Sequence, residues 1–326
     1  MVRISTMGTS KNGFDAVSYI CKNIKYKSYN LQEFVKMQIV TDSGTDVYFS
    51  EDELKKYNIH VVPLVVTLGG NSFKEGIDIQ PDKFYPMLES TDELPVTSQP
   101  SAGDFAKMYT DLAKIDPDIL SIHISSGLSG TSASAIAGAA MVPQANVTVI
   151  DTKTLSAPAG WQVEVAARAA KAGWNKERIL EAMKKIGDAT DVVYTLKELK
   201  YLIHGGRISH MKGLIASLLN IKPMIGVEKV KGTYVQYGMA RTFNGAIHGI
   251  GQYVSKKFKA GSALRVQVLH SYNPEGAQLL IDEMNKHFKC QWLPTGLLSL
   301  VLGAHVGKSM VGVAFAPEDA FAGLPQ

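Results

Sequence analysis

Cysteine is scarce in this sequence: only Cys21 and Cys290 occur among 326 residues. Two thiols, one of them near the N-terminus, cannot build a disulfide framework or a thiolate metal site, and their scarcity favours a reducing, cytoplasmic compartment. The eight histidines show neither His-x-x-x-His nor Glu-x-x-His spacing. Because these are the patterns in which metal ligands usually occur, we expect no metal ion and no cofactor.

Long apolar runs are also missing. No segment of about 18 or more apolar residues occurs, so the sequence predicts no membrane-spanning helix. Residues 1–36 lack the continuous apolar region and the small-residue cleavage site of a secretory signal. We interpret them as an N-terminal extension, either disordered or weakly helical or the product of a mis-annotated start, and we expect the folded chain to begin at Met37.

Outside residues 1–36 the chain has no excess charge of either sign. Six basic and two acidic side chains in the extension account for the whole formal net charge of +4: Arg3, Lys11, Lys22, Lys25, Lys27 and Lys36 against Asp15 and Glu33. Nucleic-acid binding needs positive charge clustered on the folded body. The neutral body therefore argues against a nucleic-acid partner.

The pattern of strands and helices predicts an α/β fold. The strand pattern of Ile119–Ile124 leads through a Ser/Gly-rich loop into the alanine-rich helix pattern of Thr131–Met141, and the strand pattern of Val147–Asp151 follows. That order is a βαβ unit with parallel strands, whose carboxyl ends share one edge of the sheet. We expect Ser43, the loop after Ile124 and Asp151 to converge there.

The length predicts two lobes. We place an α/β lobe with a parallel sheet and anion-binding loops at residues 37–187, and a smaller α+β lobe at residues 188–326. The apolar segment of about 297–315, broken by Gly303 and Gly307, is expected to pack back on the first lobe.

Four local predictions concern the first lobe. His60–Leu68 has the composition of a single β-branched strand, in which Pro63 indicates a sheet edge or a bulge. Ser90–Ser101 is predicted to be loop. A helix is predicted over Trp161–Ala172, and Met37–Ser43 has the pattern of a buried first strand.

The loop that contains Ser129 and Gly130 is a candidate anion site. It precedes a predicted helix, so free backbone N–H groups and the positive end of the helix dipole face it. It lacks the Gly-Lys-Ser/Thr of a Walker A loop and the third glycine of a dinucleotide fingerprint, and Thr131 replaces the second glycine of a nucleophile elbow. A carboxylate or phosphate would fit, and an ordinary capped turn is the alternative.

Three other residues have chemistry suited to an anion. Thr97 lies far enough before the next predicted helix to bind a ligand, whereas Ser101 is better placed as its cap. Arg207 follows Gly205-Gly206, and its guanidinium suits a carboxylate or a phosphate, although most loop arginines are solvated. His305 stands in an apolar segment, where a hydrogen-bonded core histidine is commoner than a catalyst.

The order of these motifs resembles the DegV family. The resemblance extends over about Met37–Phe315 and rests on seven segments: Ile39–Ser43, Val61–Leu64, Thr97–Ser101, Leu128–Thr131, Leu199–Ser209, Leu219–Pro223 and Gly303–Gly307. It implies a two-lobed α/β protein that is not an enzyme and that buries a long-chain fatty acid with the carboxyl group at the lobe junction. It further implies that FakB-like members present the acid to a separate fatty-acid kinase, which forms an acyl-phosphate for phospholipid synthesis.

The resemblance also implies a set of site residues. The carboxylate contacts would be Thr97, Ser129, Gly130, His305 and Arg207, with Ser43 and Ser98 as further candidates. Arg207, Lys212 and Arg241 would face the kinase or its phosphate, and the protein would have transient membrane contact without spanning the membrane. Lys308 and Ser309 depart from the Pro-Gly that commonly follows the family's His-x-Gly element.

Two alternatives to this function stay open. Ser129 and His305 have the residue types of a serine hydrolase or acyltransferase, without an evident third member. A small-anion-binding regulatory protein is the other alternative.

Overall fold

The structure is a computed structural model, and it describes residues 37–211 and 221–325. The predicted extension of residues 1–36 and the predicted site residue Lys212 therefore lie outside the described residues. All that follows concerns the structural unit Val35–Gln326. No helix in its described part is both long and apolar enough to cross a membrane.

Fourteen strands and ten α-helices occur in the described ranges. The strands are β1 Gln38–Asp42, β2 Ile59–Val62, β3 Val65–Leu68, β4 Asn71–Lys74, β5 Val96–Ser98, β6 Asp118–His123, β7 Asn146–Asp151, β8 Asp191–Thr195, β9 Lys222–Val227, β10 Tyr234–Ala240, β11 Ala263–His270, β12 Lys289–Trp292, β13 Gly296–Leu297 and β14 Val311–Pro317. The helices are α1 Glu51–Lys56, α2 Pro81–Glu89, α3 Ala102–Ala113, α4 Thr131–Ala140, α5 Ser156–Lys171, α6 Lys176–Ala189, α7 Lys200–His204, α8 Phe243–Lys257, α9 Pro274–Asn285 and α10 Leu300–Val306.

Four parallel strands form the first sheet, in the order β2-β1-β6-β7. Every residue of β1 is buried, because helices cover both faces: Ile39 packs with residues of α5 and α6, and Val40 with residues of α3 and α4. The buried first strand is confirmed. So is the βαβ unit, since β6 and β7 pair in parallel and α4 connects them.

A small antiparallel sheet, in the order β4-β3-β5, corrects two predictions. The run His60–Leu68 is not one strand: Pro63 divides it, so that β2 joins the parallel sheet and β3 the small sheet. Proline has no N–H for a ladder, and the next amide, Leu64 N, donates to Ser43 Oγ (3.1 Å) instead. Ser90–Ser101 is not all loop, because β5 pairs with β3 over three residues, too few for an alternating pattern to show.

Helix boundaries agree with local capping chemistry. Ser101 caps α3 in a capping box with Asp104, as predicted, and Asn175 caps α6. Helix α5 begins at Ser156, five residues before the predicted start at Trp161. No side chain caps its start, so the sequence carries no start signal there.

Seven strands form a mixed sheet in the order β10-β9-β8-β14-β11-β12, with β13 on β11. Strands β9 and β10 are antiparallel neighbours and form a hairpin. The part expected to be smaller thus has the larger sheet. The segment of about 297–315 is divided: α10 contacts the small sheet, whereas β14 pairs inside the mixed sheet with β8 and β11.

The parts of the chain meet closely around two features. The connection between β9 and β10 packs on the loop after β6, where Ser125 Oγ donates to Gly232 O (2.8 Å) and a Cβ at Gly127 would lie 2.4 Å from Lys231 O. One hydrophobic cluster contains residues of the small sheet, α2, α10 and the mixed sheet. Helix α10 therefore lies in the core between the sheets, and it positions the site.

Candidate functional site

Thr97 and His305 form the centre of the candidate site. Thr97 is the middle residue of β5, and His305 lies in the last turn of α10, 208 residues away. Their side chains are 2.8 Å apart, Oγ1 to Nε2. The small sheet and α10 thus bring together two of the residues predicted to contact a carboxylate.

The His305 ring packs against backbone on its other side. A Cβ added at Gly205 would lie 2.2 Å from His305 Nδ1, so only glycine fits at that position. Burial, and secondarily the positive charge of Arg207 and the nearby His204, lower the pKa of His305 to about 4. The imidazole is therefore neutral at physiological pH, and it can offer one N–H donor without carrying a charge.

Arg207 is tied to the same group by two backbone carbonyls. Its Nε donates to Leu128 O (3.3 Å) and its Nη1 to Gly205 O (2.6 Å). The first bond reaches the residue before Ser129, and the second reaches the glycine under His305. Arg207 thus connects two predicted motifs and holds its guanidinium, an anion-binding group, at their junction.

Ser129 and Gly130 stand at the start of α4. Ser129 Oγ lies 2.8 Å from Thr131 Oγ1 and accepts weakly from Thr131 N (3.3 Å). Gly130 is the N-cap residue, and no side chain caps this end of the helix. Its neighbour in space is Gln99, whose amide nitrogen would be 2.5 Å from a Cβ at Gly130. The helix start therefore presents hydroxyls and backbone donors beside the Thr97 strand.

An apolar cavity adjoins this polar cluster. Leu302 and Val306, on either side of His305 along α10, line the cavity, and so does Tyr234. Burial raises the pKa of Tyr234, and the charge of the nearby Arg207 guanidinium opposes that rise. The rest of the lining is Leu155, Ser156, Val192, Tyr194, Leu269, Leu298, Met310 and Gly312. The open space is only about 20 Å³, roughly one water molecule, so a larger apolar ligand would have to displace lining side chains.

Other predicted residues lie elsewhere. Ser43 bonds to Leu64 N, next to another pocket, and Ser98 is exposed at the end of β5. Arg241 is exposed after β10, and it forms no hydrogen bond with Arg207 in the described part of the chain. Lys308, of the family departure, forms an ion pair with Glu89 of α2, and both side chains are about half exposed.

A hydrogen-bonded chain that sequence reasoning missed lies beneath the Ser129 loop. His123 Nδ1 and Asp42 Oδ2 are 2.9 Å apart, His123 Nε2 and Ser121 Oγ 2.7 Å, and Ser121 Oγ and the Tyr109 hydroxyl 2.7 Å. Asp42 also accepts from Ile124 N (3.1 Å). All these side chains are buried, so they are closed to substrate and serve to fix the start of the loop.

The convergence predicted at the sheet edge is present for the loop after Ile124 and for Asp151, whereas Ser43 bonds to Leu64 N. Ser126 N donates to Asp151 Oδ1 (3.2 Å), and Ile124 N joins the end of β6 to the end of β1. The short polar motifs of the sequence indicated where the site lies. Gln99 and Leu128 lie inside those motifs, but their contacts depend on a tertiary arrangement that one sequence does not reveal.

Fold and site together define an α/β protein in which a parallel sheet and antiparallel sheets enclose a polar cluster beside a narrow apolar cavity. The family model described as "Uncharacterised protein, DegV family" matches residues 36–318. The chain belongs to the DegV family.

Curated and solved relatives agree with this membership. A DegV domain-containing protein of Deinococcus radiodurans is 34% identical over 279 residues, which cover 86% of this chain and 95% of the relative. The solved fatty-acid-binding DegV family protein from Thermus thermophilus is 28% identical, with a TM-score of 0.78, covering 86% of this chain and 99% of that one. DegV of Bacillus subtilis, solved as a fatty acid binding protein, is 27% identical with a TM-score of 0.76, covering 86% and 99%.

Proposed function

We propose that this protein binds a long-chain fatty acid, with the carboxylate at the Thr97, Ser129 and Arg207 cluster and the acyl chain in the adjoining apolar cavity. The observation that carries the proposal is the position of α10, which contributes His305 to the polar cluster and Leu302 and Val306 to the cavity. One short helix thus joins the two kinds of surface that an amphipathic acid needs. The structural relatives from Thermus thermophilus and Bacillus subtilis bind fatty acids.

The polar cluster suits a carboxylate. Thr97 and Ser129 offer hydroxyl donors, the start of α4 offers backbone N–H groups, and Arg207 supplies the positive charge. Arg207 already uses Nε and Nη1 on backbone carbonyls, so its orientation is set before a ligand arrives. A bound carboxylate beside His305 would raise the pKa of the imidazole from its low value, because a nearby negative charge favours the protonated form.

The cavity supplies most of the binding free energy in this proposal. Burial of each methylene is worth about 0.8 kcal/mol, so a long chain outweighs the cost of turning lining side chains aside. Met310, in the lining, has an unbranched side chain that adapts readily to a new neighbour. We expect shorter acids to bind progressively more weakly.

We further propose that the protein presents its acid to a separate fatty-acid kinase and acts as a carrier rather than as an enzyme. Phosphoryl transfer needs Mg²⁺-binding carboxylates and a phosphate-binding loop, and the carboxylate site of this protein has neither among its described residues. Arg207, at the surface end of the site, and Arg241 are the proposed contacts on the kinase side. A hydroxyl and guanidinium cluster can bind a carboxylate and an acyl-phosphate alike.

Serine hydrolysis has no geometric support. The pair expected for it is Ser129 with His305, but His305 Nε2 is bonded to Thr97 and Ser129 Oγ to Thr131. A lowered pKa of about 4 also makes His305 a weak base.

Palmitate titration tests the carboxylate site. We expect Thr97→Ala to weaken palmitate binding about tenfold, since it removes a hydroxyl from the head group and leaves His305 Nε2 unpartnered. Ser72→Ala, which removes an exposed hydroxyl from the same small sheet, is the control and should bind like wild type. Equal affinity of wild type and Thr97→Ala would contradict the proposed carboxylate position.

Kinase turnover tests the carrier role. With a purified fatty-acid kinase, ATP and palmitate-loaded protein, we expect Arg207→Ala to slow acyl-phosphate formation more than palmitate binding accounts for. Arg178→Ala, an exposed arginine stacked on Trp174, is the matched control. Normal turnover with Arg207→Ala would remove Arg207 from the kinase side.

A further inference from the structure

Two carboxylates hold the beginning of α10, at the opposite end from His305. Asp46 follows the first strand, and its Oδ1 accepts from Ser299 N (3.0 Å) while its Oδ2 accepts from the Ser156 hydroxyl. Glu75 follows the small sheet, and its Oε1 accepts from Leu300 N, the first amide of the helix. Side chains from two distant segments therefore fix the start of the same helix.

This acid pair has little positive charge around it. No described residue forms an ion pair with Asp46 or Glu75. Three titratable groups face the pair: Asp42 at the end of β1, Tyr48 in the connection before α1, and Tyr85 in α2. The neighbouring hydroxyl groups belong to Ser43, Ser156 and Ser299. None of these groups is a cation, so two full negative charges would repel without compensation.

Three polar atoms around the pair lack partners of ordinary geometry within the described residues: Glu75 Oε2, Ser299 Oγ and the Tyr85 hydroxyl. Tyr85 is fully buried, and its hydroxyl faces α10, where a Cβ at Gly303 would lie 2.4 Å away. Ser43 lies close enough to Glu75 to lower its pKa slightly, yet no well-aligned hydrogen bond reaches Oε2. The acid pair can therefore hold one more proton, and hydrogen-bonding groups are already in place around it.

The acid pair lies next to the wall of the apolar cavity without lining it. Ser156, which donates to Asp46, lines that cavity, and Leu298 lines both the cavity and a surface groove of about 580 Å³ that reaches Asp46 and Glu75. Asp46 (φ 45°) and Ser156 (φ 53°) both have left-handed backbone conformations. Residues other than glycine adopt this backbone conformation at a cost in free energy, so the backbone is strained at both residues that form this hydrogen bond.

We propose that Asp46 and Glu75 retain a proton while buried at the start of α10 and act as positioning residues for the fatty-acid site, holding α10, and therefore His305 and the cavity wall, in place only while the proton is bound. This inference rests on the proposed fatty-acid binding. Loss of that proton leaves two buried negative charges without an ion-pair partner, admits water from the groove and loosens the wall at Ser156 and Leu298.

The sign of the pH effect follows from burial. Desolvation raises the pKa of Asp46 well above its usual range, and it raises the pKa of Glu75 to about 7, with Asp42 as a smaller contribution. An acyl chain in the cavity removes water from behind Ser156 and raises the proton affinity of the pair further. Binding therefore takes up a proton above about pH 7, and palmitate affinity falls by up to about tenfold per pH unit there.

Calorimetric titration with palmitate from about pH 6 to about pH 8.5 tests the proposal. Wild type is expected to bind about tenfold more weakly at the upper end. Glu75→Gln and Asp46→Asn, which keep an acceptor oxygen but cannot ionise, are expected to flatten the profile while keeping the affinity that wild type has near pH 6. Glu93→Gln, an exposed residue that makes no side-chain hydrogen bond, is the matched control and should keep the wild-type slope.

A second measurement needs no ligand. Difference infrared spectra of the ligand-free protein across the same pH range should show a protonated carboxyl band that Glu75→Gln alters and Glu93→Gln does not. A wild-type affinity that is flat with pH, a full slope in both acid-pair variants, or the absence of this band would overturn the proposal. If wild type binds no palmitate at any pH, the proposed function fails, and the infrared band alone decides whether the acid pair holds a proton.

Discussion

The two ends of α10 meet opposite kinds of titratable group: carboxyl groups at the start and an imidazole at the end. At its start, Asp46 and Glu75 accept from the backbone of Ser299 and Leu300, and no described residue forms an ion pair with either acid. At its end, neutral His305 lies beside Arg207 and has no carboxylate among the causes of its shifted pKa. Burial is the largest cause at both ends, so it favours the protonated acid at one end and the deprotonated imidazole at the other.

This contrast shows how one short helix can link a carboxylate site to an acyl cavity. Among the described residues, no carboxylate shifts the pKa of His305, which leaves room for the negative charge of a ligand. None of the described cations forms an ion pair with the acid end, which makes it depend on a proton. Four substitutions test this contrast, beginning with the largest expected effect.

Gly205→Ala should disrupt the His305 end most strongly. Its Cβ would overlap the imidazole at 2.2 Å from Nδ1, so the ring and the last turn of α10 must shift. We expect a loss of about 3 kcal/mol in the free energy of unfolding and the loss of palmitate binding. Urea denaturation and palmitate titration measure the two effects.

Gly103→Ala is the control for that change. Its Cβ would have no neighbour closer than 3.6 Å, and alanine favours the helix, so stability should be unchanged or slightly higher. Equal stability of the two variants would show that the contact between Gly205 and His305 is unimportant.

Glu75→Gln should reveal the acid end through the pH dependence of stability. A carboxyl whose folded pKa is about 7 and whose unfolded pKa is 4.5 binds more protons in the folded state, so wild type loses stability as pH rises from 4.5 to about 7. The variant lacks this loss. The variant should therefore gain stability relative to wild type by up to about 3 kcal/mol across that range.

His305→Gln is the opposite case. With a folded pKa of about 4 against 6.5 unfolded, the unfolded chain binds the extra proton, so wild type loses stability as pH falls from 6.5 to about 4. The stability of the variant relative to wild type should therefore increase as the pH falls, not as it rises. Urea denaturation at several pH values measures both variants, and slopes of the same sign would break the comparison.

Lys308→Gln should have the smallest effect. The ion pair of Lys308 with Glu89 joins two half-exposed side chains, and such pairs are worth less than about 1 kcal/mol. We expect the free energy of unfolding to change by no more than this and palmitate affinity to stay at the wild-type value. A large loss of affinity would place Lys308 in the site.

Much of this fold could be predicted from the sequence because its signals are local. The apolar pattern of β1 and the cap Ser101 act over a few residues, and each stands in the structure where it was expected. The errors fell where tertiary pairing decides the outcome. Strand β5 exists because β3 lies beside it, and Pro63 ends a strand only because the next strand turns into another sheet.

The site divides in the same way. Thr97, Ser129 and His305 stand in motifs that can be read from the sequence, and the structure brings Thr97 and His305 into contact. The acid pair could not be found, since Asp46 and Glu75 occur singly among other acids and become special only by burial at the start of α10. The division of the chain at residue 187 stays a prediction.

Native mass spectrometry of the purified full-length protein, followed by solvent extraction and identification of any bound lipid, tests the central claim most directly. The account predicts a mass increase that corresponds to one long-chain fatty acid per chain, or uptake of one added palmitate, and its loss in Gly205→Ala. A protein that carries no lipid and takes up no added fatty acid would contradict it.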